Sequence, residues 1–326
     1  MTLTLFVVGL ALLIFGAEWL IRGASNLALR FGISPLVVGL TIVAFGTSAP
    51  EIAISVGAAL EGSSGVSVGN VVGSNIFNIL FVIGLSALIT PLAVSHQVVR
   101  QEVPVLLVVT LLALGAGVDR LLERWEGGVL FGLLVAYTTF LVVQSRRERS
   151  LPSDPGSDDV DFAPGAPHVQ PGSSALRQLT LIVVGLTGLA VGAQWVVDGA
   201  VHFARQLGIS ETVIGLTVVA IGTSLPEVAT SVTAAVRGQR DIAVGNVVGS
   251  NAFNLLGCLG LSALLAPSGV PVPEEVVQRD AWVMLAATVI CVPFFKSGHQ
   301  VSRGEGAALF AGWAGYTGYL VAQTLG

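Results

Sequence analysis

Two stretches of the chain repeat one another at a fixed distance. GTSAPEIAISVGAAL from Gly46 matches GTSLPEVATSVTAAV from Gly222, and VGNVVGSNIFNIL from Val68 matches VGNVVGSNAFNLL from Val244. Both pairs stand 176 residues apart, and the same offset joins Trp19 to Trp195 and Pro91 to Pro267. A duplication this long means that the two halves follow one structural plan.

The solvent for that plan is lipid. Only 11% of the residues are charged, against roughly 25% in an ordinary soluble domain, and mean hydropathy is +0.83. Apolar runs approaching the roughly 20 residues a bilayer-spanning helix needs fall near 3–22, 35–60, 66–90, 102–118, 127–144, 177–200, 211–236, 242–266, 280–296 and 304–324. The sequence therefore predicts an all-α integral membrane protein with ten transmembrane helices. The plan divides into a first five-helix repeat (1–144), a linker (145–176) and a second five-helix repeat (177–326). The linker is rich in Pro, Gly, Ser and Asp, too polar to bury a core, so disorder is expected there. Its acids Asp154, Asp158, Asp159 and Asp161 lack the spacing of a calcium-binding loop and read as a solvated tether.

Five helices per half is an odd number, so the second repeat must enter the membrane from the opposite side. With the amino terminus outside, eleven of the fifteen lysines and arginines fall on the cytoplasmic side, as the positive-inside rule requires. The expectation is a multi-pass cell-membrane protein with both termini outside, the linker cytoplasmic, and inverted-topology repeats. The first helix is retained, because its repeat mate lies mid-chain and cannot be a cleaved signal. Such architectures place substrate sites near the bilayer midplane, on broken helices where the repeats meet.

Glu51 and its repeat mate Glu227 sit inside spanning segments, with no Lys or Arg in the second, third, seventh or eighth spans to neutralise them. An intramembrane carboxylate costs several kcal/mol unless it meets a partner or a polar pathway. A cation from solution supplies one. Thr47 and Ser48 stand four and three residues before Glu51, a spacing that puts hydroxyls and carboxylate on one helical face. Ser74 and Asn78 follow in the next span, and Thr223, Ser224, Ser250 and Asn254 repeat the set. All donors are oxygen, which suits calcium, sodium or magnesium and not zinc or copper. Pro50 and Pro226 would break their helices from within and free the carbonyls of Ala44 and Ala220 to turn toward an ion. Gly69, Gly73, Gly245 and Gly249 would let the third and eighth spans approach others closely.

Other polar residues have plainer readings. Glu18 lies beside Arg22 and pairs in the repeat with Gln194, which suggests a structural role; Asp198 is expected near the outer surface. Asn70 and Asn246 read as helix caps. Cys258 and Cys291 read as small packing residues, and the four histidines fall in loops or at helix ends. No nucleotide loop, zinc motif or catalytic triad is present, so no enzyme is expected, and no basic footprint points to nucleic acid.

GTSAPE with GNVVGSNIFN, then GTSLPE with GNVVGSNAFN, resembles the two alpha repeats of sodium/calcium exchangers in the cation/calcium antiporter superfamily. The strongest matches span Gly39 to Leu85 and Gly215 to Leu261, and the plan fits nearly the whole chain except the linker. The resemblance implies that Glu51 and Glu227 bind Ca2+ and Na+ by turns, assisted by Thr47, Ser48, Ser74, Asn78, Thr223, Ser224, Ser250 and Asn254. It also implies exchange of about three Na+ per Ca2+ and sliding of the first and sixth helices. No cofactor is expected beyond the transported ions, and a monomer in the lipid bilayer is the expected functional unit. Several relatives carry Asp where Asn254 stands, so potassium coupling is not expected. Neighbouring readings are a proton/calcium or other divalent-cation antiporter and a passive cation channel.

Overall fold

The computed structural model describes residues 2–150, 174–207 and 220–325. Most of the predicted linker, and residues 211–219 at the start of the seventh predicted span, lie outside the described residues. In lipid every backbone N–H and C=O must find a partner within the chain, and helices do this locally. The chain follows suit: α1 (Thr2–Arg30), α2 (Pro35–Thr47), α3 (Ala49–Leu60), α4 (Ser64–Ile89), α5 (Val98–Ala116) and α6 (Arg124–Ser150) make the first repeat. The second holds α7 (Ala175–Gln206), a short turn at Ala220–Gly222, α8 (Leu225–Val236), α9 (Arg240–Leu265), α10 (Val276–Lys296) and α11 (Arg303–Leu325).

Among the described residues seven helices are long and apolar enough to cross a membrane, and the bent pair α2 and α3 makes an eighth span. Of the other two predicted spans, α8 is the described part of one. The other is α11, long enough at 23 residues but diluted by glycines and aromatic residues, and it is not among the seven. The linker begins later than predicted. Residues 145–150 continue α6, whose Ser145 hydroxyl is buried and accepts a 2.8 Å hydrogen bond from the Ser34 amide at the start of α2.

The inversion is visible where repeat mates touch. A Cβ built on Gly9 would lie 2.9 Å from the Gly192 carbonyl, one on Gly16 2.9 Å from the Gly185 carbonyl, and one on Gly23 2.8 Å from the Gln178 carbonyl. The numbers rise along α1 as they fall along α7, so the two helices run antiparallel, with glycines every seventh residue letting backbone meet backbone. In the same manner Gly245 and Gly249 of α9 admit the Leu36 and Leu40 carbonyls of α2, at 2.9 and 2.7 Å from a built Cβ. No described residue comes within 4 Å of a Cβ built on Gly69 or Gly73. The segment that the 176-residue offset pairs with α2 lies partly outside the described residues.

The most buried spans, α4 and α9, stand at the centre. Two short ribbons cap the opposite ends of α5: β1 (Leu92–Ala93) pairs with β4 (Gln300–Val301), and β2 (Leu121–Leu122) with β3 (Val270–Pro271). Each ribbon joins one loop from each repeat.

Carboxylates at or near the core fix the helices to one another. Glu102 accepts hydrogen bonds from the Tyr137 hydroxyl and from the side-chain amides of Gln97 (2.9 Å) and Gln101 (3.0 Å). The second repeat builds the same joint with Asp280, bound by Tyr316 at 2.9 Å, and adds the guanidinium of Arg279 at 2.6 Å. Glu18 has the structural part expected of it: it pairs with Arg22 in α1 and, at 2.8 Å, with Arg237 at the end of α8.

Candidate ion-binding site

Each GTSxPE stretch is a helix end followed by a helix start. Ser48 leaves helical geometry (φ −80°, ψ 1°) and Ser224 does the same (φ −92°, ψ 9°). The prolines therefore do not break helices from inside, as the sequence suggested. Pro50 and Pro226 occupy the first turns of α3 and α8, where a missing N–H costs nothing. The α2 and α3 axes bend by 47° at this point. Glu51 and Glu227 fall in the first turn after each break, where unpaired amides and the helix dipole favour negative charge.

The break also redirects the hydroxyls. The Ser224 hydroxyl donates to Glu51 Oε1 at 3.1 Å, and the Ser48 hydroxyl donates to Glu227 Oε1 at 3.4 Å. Each serine serves the carboxylate of the other repeat and not the one three residues on, which corrects the same-face reading of the spacing. Ser224 also lies 3.3 Å from the Ser74 hydroxyl. Thr47 Oγ1 donates to Asn246 Oδ1 at 3.1 Å and stands 3.4 Å from Ser250 Oγ. Ser48, Glu51, Ser224, Glu227 and Ser250 are all fully buried.

Several oxygens in this chamber have no partner: Glu51 Oε2, Glu227 Oε2, Thr223 Oγ1 and Asn78 Oδ1. Most buried polar atoms are paired, so a cluster of orphaned oxygens around two carboxylates is a candidate site for a cation. Among the described residues no three His, Cys, Asp or Glu side chains group together. Hydroxyl and amide oxygens would have to complete any coordination shell.

The remaining predicted ligands divide. Asn78 donates to Asn251 Oδ1 at 3.0 Å and keeps its own oxygen free. Asn254 accepts from Cys258 at 3.4 Å and has an unpartnered Nδ2. Asn78 opens the π-helical turn Asn78–Ile83 and Asn254 is the second residue of the turn Phe253–Cys258, a deformation that recurs at functional sites. The Ala44 carbonyl is not free: it accepts from the Ser48 amide at 2.9 Å, and Thr47 Oγ1 lies 3.3 Å from it. In the second repeat the matching Ser224 amide turns to Ile221 at 3.1 Å, so Ala220 does not share that bond.

Sequence reasoning missed a supporting layer. Asn70 and Asn246 lie inside their helices and cap nothing; their amides donate to Ser55 and Ser231, each at 2.9 Å. Asn251 donates to the Asn75 carbonyl at 3.3 Å, across the repeat interface. The signal was present, since Ser55, Asn70 and Asn75 recur at Ser231, Asn246 and Asn251. Cys258 and Cys291 are free and buried, as packing residues should be. A cavity of about 700 Å³ reaches the site, lined by Pro50, Pro226 and Thr223 and walled by Leu186, Ala190 and Gln194 of α7.

The sequence profile of the family described as sodium/calcium exchanger protein matches residues 1–143 and 177–322, both repeats without the linker. The chain belongs to the sodium/calcium exchanger family. It is 40% identical over 317 residues to the putative antiporter CaxA of Alkalimonas amylolytica, covering 96% of this chain and 97% of that one. It is 32% identical to the sodium/calcium exchanger MaX1 of Methanosarcina acetivorans, covering 94% of each. Among solved structures, the sodium-calcium exchanger NCX_Mj soaked with zero Na+ and Ca2+ superposes with a TM-score of 0.80 at 32% identity, over 98% of both chains. The family consists of membrane transporters, and its fold is all-helical like this one.

Proposed function

We propose that this exchanger moves Ca2+ against Na+ by alternating access, with Glu51 and Glu227 sharing one ion chamber. The crossed Ser224–Glu51 and Ser48–Glu227 hydrogen bonds support this most directly, because they hold both carboxylates in one cation-poor space and leave an oxygen of each free. Thr47, Ser74, Asn78, Thr223, Ser250 and Asn254 complete the donor set with neutral oxygens, while the Ala44 carbonyl would have to leave Ser48 before it could join. Two ionised carboxylates and one Ca2+ sum to zero, whereas three Na+ leave one positive charge. The two loads therefore exclude each other, and a three-for-one cycle would carry charge worth roughly 2.3 kcal/mol per 100 mV.

The pairing of α1 with α7 supports sliding of these two as a unit. Their shared glycine seam is continuous, and the cavity wall facing the site belongs to α7. We retain the ten-span plan in two repeats, the cytoplasmic linker, the outside termini and the monomer. The ribbons support the ten-span plan: β1 and β4 join loops that it puts on one side of the membrane, β2 and β3 loops that it puts on the other. Arg22 and Arg237, both assigned inside, meet on Glu18.

The test is Ca2+ uptake into proteoliposomes loaded with Na+, K+ or a proton gradient. Uptake should require loaded Na+ and should vanish in Glu51→Gln and Glu227→Gln. Uptake without a counter-ion gradient would establish a channel, and normal uptake by both variants would remove the site.

A further inference from the structure

The two loop ribbons are built alike but closed differently. At one end Arg120, in a left-handed turn (φ 68°), precedes β2; its carbonyl accepts from Val272 at 2.9 Å and its guanidinium pairs with Glu274 at 3.0 Å. At the other end His299, also left-handed (φ 51°), precedes β4, and its carbonyl accepts from Val94 at 2.8 Å. In the place of Glu274 stands His96, and the two imidazoles lie with centroids 4.0 Å apart and planes at 48°. A complete ion pair thus closes one ribbon, and two imidazoles close its mate.

The imidazole pair is not self-sufficient. Each neutral ring carries a lone pair, among the described residues no hydrogen bond joins the two rings, and His299 Nδ1 is buried without a partner. The left-handed backbone of a non-glycine residue costs energy and persists only where the surroundings demand it; here it points His299 at His96 as it points Arg120 at Glu274. We propose that His96 and His299 form a binding site for a borderline transition-metal ion, of the Zn2+ or Ni2+ class, with water filling the remaining positions. Imidazole nitrogen suits such ions, whereas the all-oxygen chamber at Glu51 and Glu227 suits hard ones. The metal would staple the loop after α4 to the loop before α11, away from the transport chamber, and the proposal stands whichever ions that chamber carries.

The test is Ni2+ and Zn2+ binding to untagged protein, by calorimetry and by metal-dependent thermal stabilisation, in excess Ca2+, which hard oxygen ligands take and imidazoles do not. His96→Ala and His299→Ala each remove one of two protein ligands and should weaken binding by roughly tenfold or more, the least that metal sites lose even when only an outer partner is removed. The double variant His96→Glu with His299→Arg installs the closure of the opposite ribbon. It should keep wild-type thermal stability without metal and lose the metal response, which separates a lost ligand from a lost fold. Equal binding by wild type and the double variant would overturn the proposal. So would a closure that responds to acid but binds neither metal.

Discussion

The Ser224 hydroxyl donates to Glu51 Oε1 at 3.1 Å across the repeat interface, so the second repeat holds the acid of the first. Ser48 returns the contact to Glu227 at 3.4 Å. The exchange of hydroxyls between repeats ties the geometry of one carboxylate to the position of the other helix break.

Removing that hydroxyl should weaken ion binding before it weakens the fold. A hydrogen bond to a charged group is worth about 1.5–3 kcal/mol, so Ser224→Ala should raise the Ca2+ concentration for half-maximal exchange by about tenfold or more. Ser48→Ala, with the longer bond, should cost less. Flux measurements over a Ca2+ series decide the order.

Calcium should stabilise the fold only while both carboxylates are present. A ligand at 100 times its Kd adds about 2.7 kcal/mol to stability. Thermal unfolding of wild type should shift upward with added Ca2+, and Glu51→Gln or Glu227→Gln should abolish the shift. A retained shift in either variant would place the ion elsewhere.

The glycine seam should matter for helix packing and not for coordination. A Cβ at position 16 would meet the Gly185 carbonyl and the Leu189 amide, both at 2.9 Å, and neither backbone can step aside cheaply. Gly16→Val should therefore destabilise the α1–α7 pair by about 1–3 kcal/mol. Gly315→Ala, where nothing described lies within 4 Å, should be neutral or stabilise by up to about 1 kcal/mol. Unfolding temperatures of the two variants provide the comparison.

The two carboxylate–tyrosine joints should respond unequally. Glu102 loses a donor in Tyr137→Phe and, among the described residues, keeps only the amides of Gln97 and Gln101, so about 1–3 kcal/mol should be lost. Asp280 keeps Arg279 in Tyr316→Phe, and the loss should be smaller. Equal losses would mean that the guanidinium contributes nothing to the second joint.

Glu51 and Glu227, their oxygen-only neighbours and the duplication that pairs them were legible in the chain, because a membrane tolerates few buried charges and repeats keep their register. The apolar runs likewise mark the spans, since bilayer thickness sets helix length. Boundaries were less legible: Ser145–Ser150 read as linker by composition, yet helix continues where Ser145 finds the Ser34 amide.

What the sequence determined by itself was which side chains must be hidden from lipid and that they come in two matching sets. Which partner each one meets was decided only by the tertiary structure. Spacing along one helix pointed Thr47 and Ser48 at Glu51, but the break at Ser48 ends that helix, and the antiparallel repeats bring the second set within reach. Hydrogen bonds then form between residues more than 170 positions apart, a distance over which local periodicity carries no information.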